Sequence, residues 1–168
     1  MAVMADEHVS ENIDIAVSAQ TAFDAVAALR FARWSPECFA VWVLRRDRDG
    51  HPLRFVGWNR RRAFVWFTTC TVAASTPGEE FSFDVTTFGM PVARWAYRFA
   101  PLPNGGATVT EQWTDRRGRG AWILGRIFTG AGTKNRPEVN REGMRATLAR
   151  LKSELEAEAA NETPRRRG

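Results

Sequence analysis

The chain is 168 residues long and 18.9 kDa, 44% hydrophobic and 26% charged, a balance that excludes disorder along the whole length and makes a single domain the expectation. Its formal net charge is +5, but three arginines, Arg165 to Arg167, sit together at the C-terminus and leave the rest near neutral, so composition alone does not argue for a phosphate-tracking surface. No stretch is apolar for long enough to span a bilayer, and Met1 to Glu7 is acidic where a signal peptide is basic and then apolar. A cytoplasmic protein without stable membrane insertion is therefore expected.

From Val9 to Val17, the apolar Val9, Ile13, Ile15 and Val17 alternate with Ser10, Asn12, Asp14 and Ala16, the period of a half-buried strand. Ser18 is placed to cap a helix. Residues 20 to 31 put Phe23, Val26 and Ala27 on one face, Phe31 and Trp34 follow, and Pro36 ends the run, so one or two short helices are predicted. A meander follows, with strands at 39–48, 53–59, 64–75, 80–88, 92–100 and 107–115. They are separated by Asp49-Gly50, the arginines 60 to 62, Thr76-Pro77-Gly78, Gly89-Met90-Pro91 and Pro103-Asn104-Gly105-Gly106. Beyond Arg119 the period becomes helical: Ile123, Leu124, Ile127 and Phe128 come first, and Gly130 and Gly132 interrupt. Met144, Leu148, Leu151 and Leu155 then form a stripe to about residue 158, with Asn135 placed to cap it and Pro137 in its first turn. Residues 8–158 thus read as one α+β domain, a seven-stranded antiparallel sheet against a long C-terminal helix, with 1–7 and 159–168 as flexible termini.

Alternation assigns faces. Phe81, Phe83 and Val85 oppose Ser82, Asp84 and Thr86, and Trp95, Tyr97 and Phe99 oppose Arg94 and Arg98. On the last strand Thr108, Thr110, Gln112 and Thr114 form a polar face. Ala107, Val109, Glu111 and Trp113 form the other, so Glu111 is the carboxylate expected among apolar neighbours. If Leu102 pairs with Gly106, Tyr97 lies opposite Glu111 and Trp95 opposite Trp113. A carboxyl so placed has a raised pKa and can serve as an acid or base near neutral pH; it can equally be a structural group satisfied by its neighbours. Cys38 and Cys70 have no Cys-x-x-Cys spacing, and His8 and His51 lack companions at ligand spacing, so neither a disulfide framework nor a metal site is expected. Cys70 reads as an inert buried thiol and His51 as a solvated turn residue.

Nineteen aromatics, seven of them tryptophan, exceed what collapse requires and make room for a cavity. Trp58, Trp66, Trp95 and Trp113 lie on nearby strands, where flat rings suit a planar or polycyclic apolar ligand. Alternating hairpins bring Arg60 to Arg62, Gly89 to Pro91, the exit at Arg116, Arg117 and Arg119, and the entry from Trp34 to Phe39 to one end. A basic rim there would attract an anionic ligand or an acidic carrier protein.

The order of these pieces resembles the helix-grip fold of the START/SRPBCC superfamily, in its polyketide cyclase/dehydrase and lipid-transport branch. The resemblance is carried by Thr21-Ala22-Phe23-Asp24-Ala25-Val26, Trp34-Ser35-Pro36-Glu37, Gly57-Trp58-Asn59-Arg60, Trp95-Ala96-Tyr97-Arg98-Phe99, Gly105 to Glu111, and Gly143-Met144 through Lys152. It implies a cavity for a hydrophobic small molecule between sheet and last helix, with no organic cofactor or metal required. Some members cyclise or dehydrate aromatic polyketide intermediates, and others carry lipids or hormones. The expected cavity residues are Trp34, Phe55, Asn59, Trp66, Phe83, Trp95, Trp113, Met144 and Leu148, with Glu111 as proton acceptor and Tyr97 as donor. The alternative is a carrier or sensor without chemistry, as a monomer or homodimer. Nucleic acid is not an expected partner.

Overall fold

In a computed structural model that describes residues 8–117 and 136–162, the described residues form one sheet and three helices. They run β1 (His8–Ile15), α1 (Ala19–Ala27), α2 (Phe31–Trp34), β2 (Cys38–Arg46), β3 (Pro52–Arg61), β4 (Phe64–Thr76), β5 (Glu80–Thr87), β6 (Met90–Pro101), β7 (Ala107–Asp115) and α3 (Arg136–Glu162). The strand order is β1-β7-β6-β5-β4-β3-β2 with every pair antiparallel. This is the helix-grip arrangement expected from the sequence. The residues 123–128, Gly130, Gly132, Asn135, Arg119 and the C-terminal arginines lie outside the described residues.

Local chemistry explains the boundaries. Ser18 caps α1, its Oγ accepting from the Thr21 N–H at 3.1 Å. β1 stops at Ile15, two residues before the expected end, because Val17 already turns toward this cap. Leu29 takes a left-handed φ of 63° and breaks the chain between α1 and α2, with its side chain buried. Gly106 accepts at its carbonyl from the Leu102 N–H at 2.9 Å, and a Cβ there would meet the Ile15 carbonyl oxygen at 2.3 Å, so only glycine fits the seam between β1 and the β6–β7 turn.

α3 buries its Met144, Leu148, Leu151 and Leu155 stripe almost completely. Polar ties fix it on both flanks. On one, Arg30 pairs with Glu154 and Glu158, and Trp34 Nε1 donates to Glu154 at 2.9 Å. On the other, Glu11 of β1 meets Arg141 at 3.0 Å and Arg145 at 3.2 Å, while Lys152 donates to the Asp14 carbonyl at 2.7 Å. The helix continues to Glu162, a turn past the expected end, so 159–162 is helical and not a loose tail.

Candidate functional site

The register places Tyr97 opposite Glu111 and Trp95 opposite Trp113. Both members of the first pair point inward and are 3% exposed. Tyr97 Oη donates to Glu111 Oε1 at 2.7 Å, while Oε2 of the same carboxyl is buried with no partner among the described residues. Burial pushes the Glu111 pKa up to about 8, only partly opposed by the Tyr97 hydrogen bond. Burial, together with the neighbouring carboxylate charge, holds the phenol well above its ordinary value.

This pair lines a cavity of about 1300 Å³ between the sheet, α2 and α3. Of the residues expected there, Phe55, Asn59, Trp66, Phe83, Trp95 and Trp113 line it. Trp34, Met144 and Leu148 do not. Trp34 is held in the α2–α3 seam by Glu154, and Met144 and Leu148 belong to the stripe that clamps the helix. The helix turns a different strip to the cavity: Val139, Asn140, Gly143, Ala146 and Thr147. Trp58 also lies off the cavity. Gly57 and Asn59 face inward, so period 2 puts Trp58 outside, where its ring meets Trp42 at 5.1 Å and Phe67 at 5.7 Å.

Asn140 is the polar lining residue that the sequence reading missed. It is 4% exposed, and its side-chain Nδ2 has no partner among the described residues. Its signal was the small or polar series Asn140, Gly143, Thr147 at helical spacing beside the leucine stripe. Asn59 Nδ2 spends one hydrogen on the Gly57 carbonyl at 3.1 Å, the local bond expected of a residue near a strand end.

Three phenylalanines form the floor near α2. Phe31 stacks on Phe83 at 5.4 Å, and Phe55 meets Phe83 edge-on at 5.2 Å. Burial raises the Cys38 and Cys70 thiols to about 11 and about 12, so both line the wall as neutral, unreactive groups. At the open end Arg60, Arg61, Arg62 and Arg117 gather with Glu37, Phe64, Val65 and Phe88, which is the end the hairpin alternation predicts. Arg117 is tied to Asp115. His51, at the far hairpin, is exposed and bonded to Asp47 at 3.2 Å as a turn residue.

Residues 6–156 match the family model described as polyketide cyclase / dehydrase and lipid transport. Among solved structures, a START superfamily protein of Mycobacterium smegmatis is 15% identical, with a TM-score of 0.64 over 89% of this chain and 99% of the other. A polyketide-cyclase-like protein of Corynebacterium glutamicum is 24% identical, with a TM-score of 0.54 over 94% and 96%. The di-domain ARO/CYC StfQ from the steffimycin biosynthetic pathway is 13% identical, with a TM-score of 0.67 over 91% of this chain and 52% of that one, so this chain spans about half of it. At these identities the structural likeness shows the fold. No protein of curated function matches the sequence.

Proposed function

The chain belongs to the polyketide cyclase/dehydrase and lipid-transport family, and we propose that it binds an apolar, oxygen-bearing small molecule of the aromatic or polyketide type and promotes its cyclisation or dehydration. The observation that carries this reading is Oε2 of Glu111, buried without a partner among the described residues on a side chain that lines the cavity beside Phe83, Trp95 and Trp113. A polar atom left unsatisfied there costs about 1–3 kcal/mol. A ligand oxygen would remove that penalty.

With a pKa of about 8, the Glu111 carboxyl is mostly protonated at neutral pH. Tyr97 already donates to Oε1, so the proton belongs on Oε2, which has no partner among the described residues. In this reading Glu111 is the donor to substrate and Tyr97 orients it, where the sequence led to Glu111 as acceptor and Tyr97 as donor. For a dehydration, Glu111 gives its proton to a hydroxyl that leaves as water as the carbon–oxygen bond breaks. The resulting carboxylate takes a proton from the adjacent carbon, whose electrons form the new double bond, and the acid is regenerated. For an aldol-type cyclisation the same proton hydrogen-bonds the carbonyl under attack. The dry, shaped pocket supplies the folded conformer.

The test is turnover of a β-hydroxy ketone bearing an aromatic ring, followed by the mass loss of one water. Glu111→Gln keeps shape and cannot recycle a proton, so dehydration falls by a factor on the order of 10²–10⁴ while binding, read by tryptophan fluorescence, is retained. Undiminished turnover removes the acid role. A carrier without chemistry is the second reading. It is favoured by the neutral thiols and mainly hydrocarbon walls, and it predicts that ligand extracted after incubation is chemically unchanged.

A further inference from the structure

The outer face of the sheet carries an apolar feature that runs on beyond the cavity mouth. On β2 Trp42 is 61% exposed and Leu44 56%; Val65 and Phe67 of β4 and Phe88 in the β5–β6 turn are also exposed. The rings form a continuous band through the half-buried Trp58: Trp42 meets Trp58 at 5.1 Å, Trp58 meets Phe67 at 5.7 Å, and Phe67 meets Phe88 at 5.8 Å. A contiguous band of this kind marks an interaction surface.

Charge identifies the partner. Residues 38–76, which make up β2 to β4, hold seven arginines against Asp47 and Asp49. On β3 the outward positions read Arg54, Val56, Trp58, Arg60, with Arg54 and Arg60 exposed at either end of the apolar pair. Arg45 is the register partner of Arg54, and the Arg60 guanidinium lies 5.9 Å from the Phe39 ring. The formal +5 of the whole chain is therefore matched by this one edge of the sheet, beside its exposed rings.

We propose that this face docks on an anionic lipid surface, with Trp42, Leu44 and Phe67 entering the headgroup boundary and the arginines meeting lipid phosphates and carboxylates. Rings settle at the interface, aliphatic side chains reach the acyl region, and arginines pair with the headgroups. A second copy of the chain would bring its own arginines against these and be repelled. A single-stranded nucleic acid would use the rings and arginines but leave Leu44, Val56 and Val65 without a counterpart. Val65, Phe67 and Phe88 also border the cavity mouth, so docking would set the mouth against a reservoir of apolar molecules.

The test is co-sedimentation of the full chain with phosphatidylcholine vesicles, with and without about a quarter phosphatidylserine. The expected result is binding to the anionic vesicles alone, weakened by added salt. The double change Trp42→Ser with Leu44→Ser weakens it by on the order of tenfold, and Arg54→Glu with Arg60→Glu abolishes it. Arg54→Lys with Arg60→Lys retains charge and binding, which separates lost attraction from lost fold. Because Glu111 is buried and points to the opposite side of the sheet from this band, Glu111→Gln binds vesicles like the unaltered chain whatever its effect on turnover. Failure to bind anionic vesicles overturns the proposal. So does equal binding to neutral vesicles, a preference for a single-stranded oligonucleotide over vesicles, or a dimer in solution that Trp42→Ser disperses.

Discussion

At Glu111 the cost of burial becomes a pH dependence. The folded carboxyl keeps its proton to about pH 8, whereas the unfolded one releases it near 4.5. Between those values the native state binds more protons, so this group makes stability fall as pH rises and contributes its full penalty above 8. The neighbouring Glu11, opposite Glu111 in the β1–β7 register, is shifted the other way: Arg145 and Arg141 hold it below its ordinary value. Comparing the melting temperature of Glu111→Gln with that of the unaltered chain isolates the single group. The variant gains relative stability steadily from pH 5 to pH 8, by a few kcal/mol in all; a constant difference across that range contradicts the assignment. Tyr97→Phe removes the hydrogen bond to Oε1, the only one among the described residues, and costs about 1–3 kcal/mol in denaturant unfolding. It also moves the Glu111 titration upward, because that hydrogen bond is the influence lowering it.

At the scale of elements, two seams hold the cavity open. At the first, Gly106→Ala drives a methyl into the Ile15 carbonyl. About 1–3 kcal/mol of stability is lost, and hydrogen exchange speeds up along β1 and β7 before the other strands. At the second, Trp34→Phe keeps the ring but removes the indole donor to Glu154, loosening α2 from α3 at a cost of about 1–3 kcal/mol. If Trp34 contacted ligand, the same change would alter affinity; its place in the seam predicts unchanged affinity in a fluorescence titration. The strands and turns were readable because period-2 alternation and glycine-containing turns are local signals. The division of α3 was not. One stripe, through Met144 and Leu148, and its neighbour, through Asn140 and Thr147, differ by about one position around the helix, and which of them meets the cavity depends on how the sheet curves.

At the scale of the molecule, the aromatic excess divides between two sides of one sheet. Phe55, Phe83, Trp66, Trp95 and Trp113 enclose the cavity, while Trp42, Trp58 and Phe67 form the outer band. Composition could not separate these uses. Strand parity could: Phe55, Gly57 and Asn59 inward forces Val56, Trp58 and Arg60 outward, whereas proximity along the chain does not separate Trp58 from Trp66, Trp95 and Trp113. The carboxyl was legible for the opposite reason, because β7 has one wholly polar face and Glu111 lies on the other. Its partner followed from the Leu102–Gly106 turn. The central claim is that the cavity holds a neutral carboxylic acid near physiological pH, and a carbon-13 NMR titration of the Glu111 side-chain carboxyl tests it most directly. The account predicts a midpoint near pH 8; a midpoint near the ordinary glutamate value of about 4.3 would contradict it.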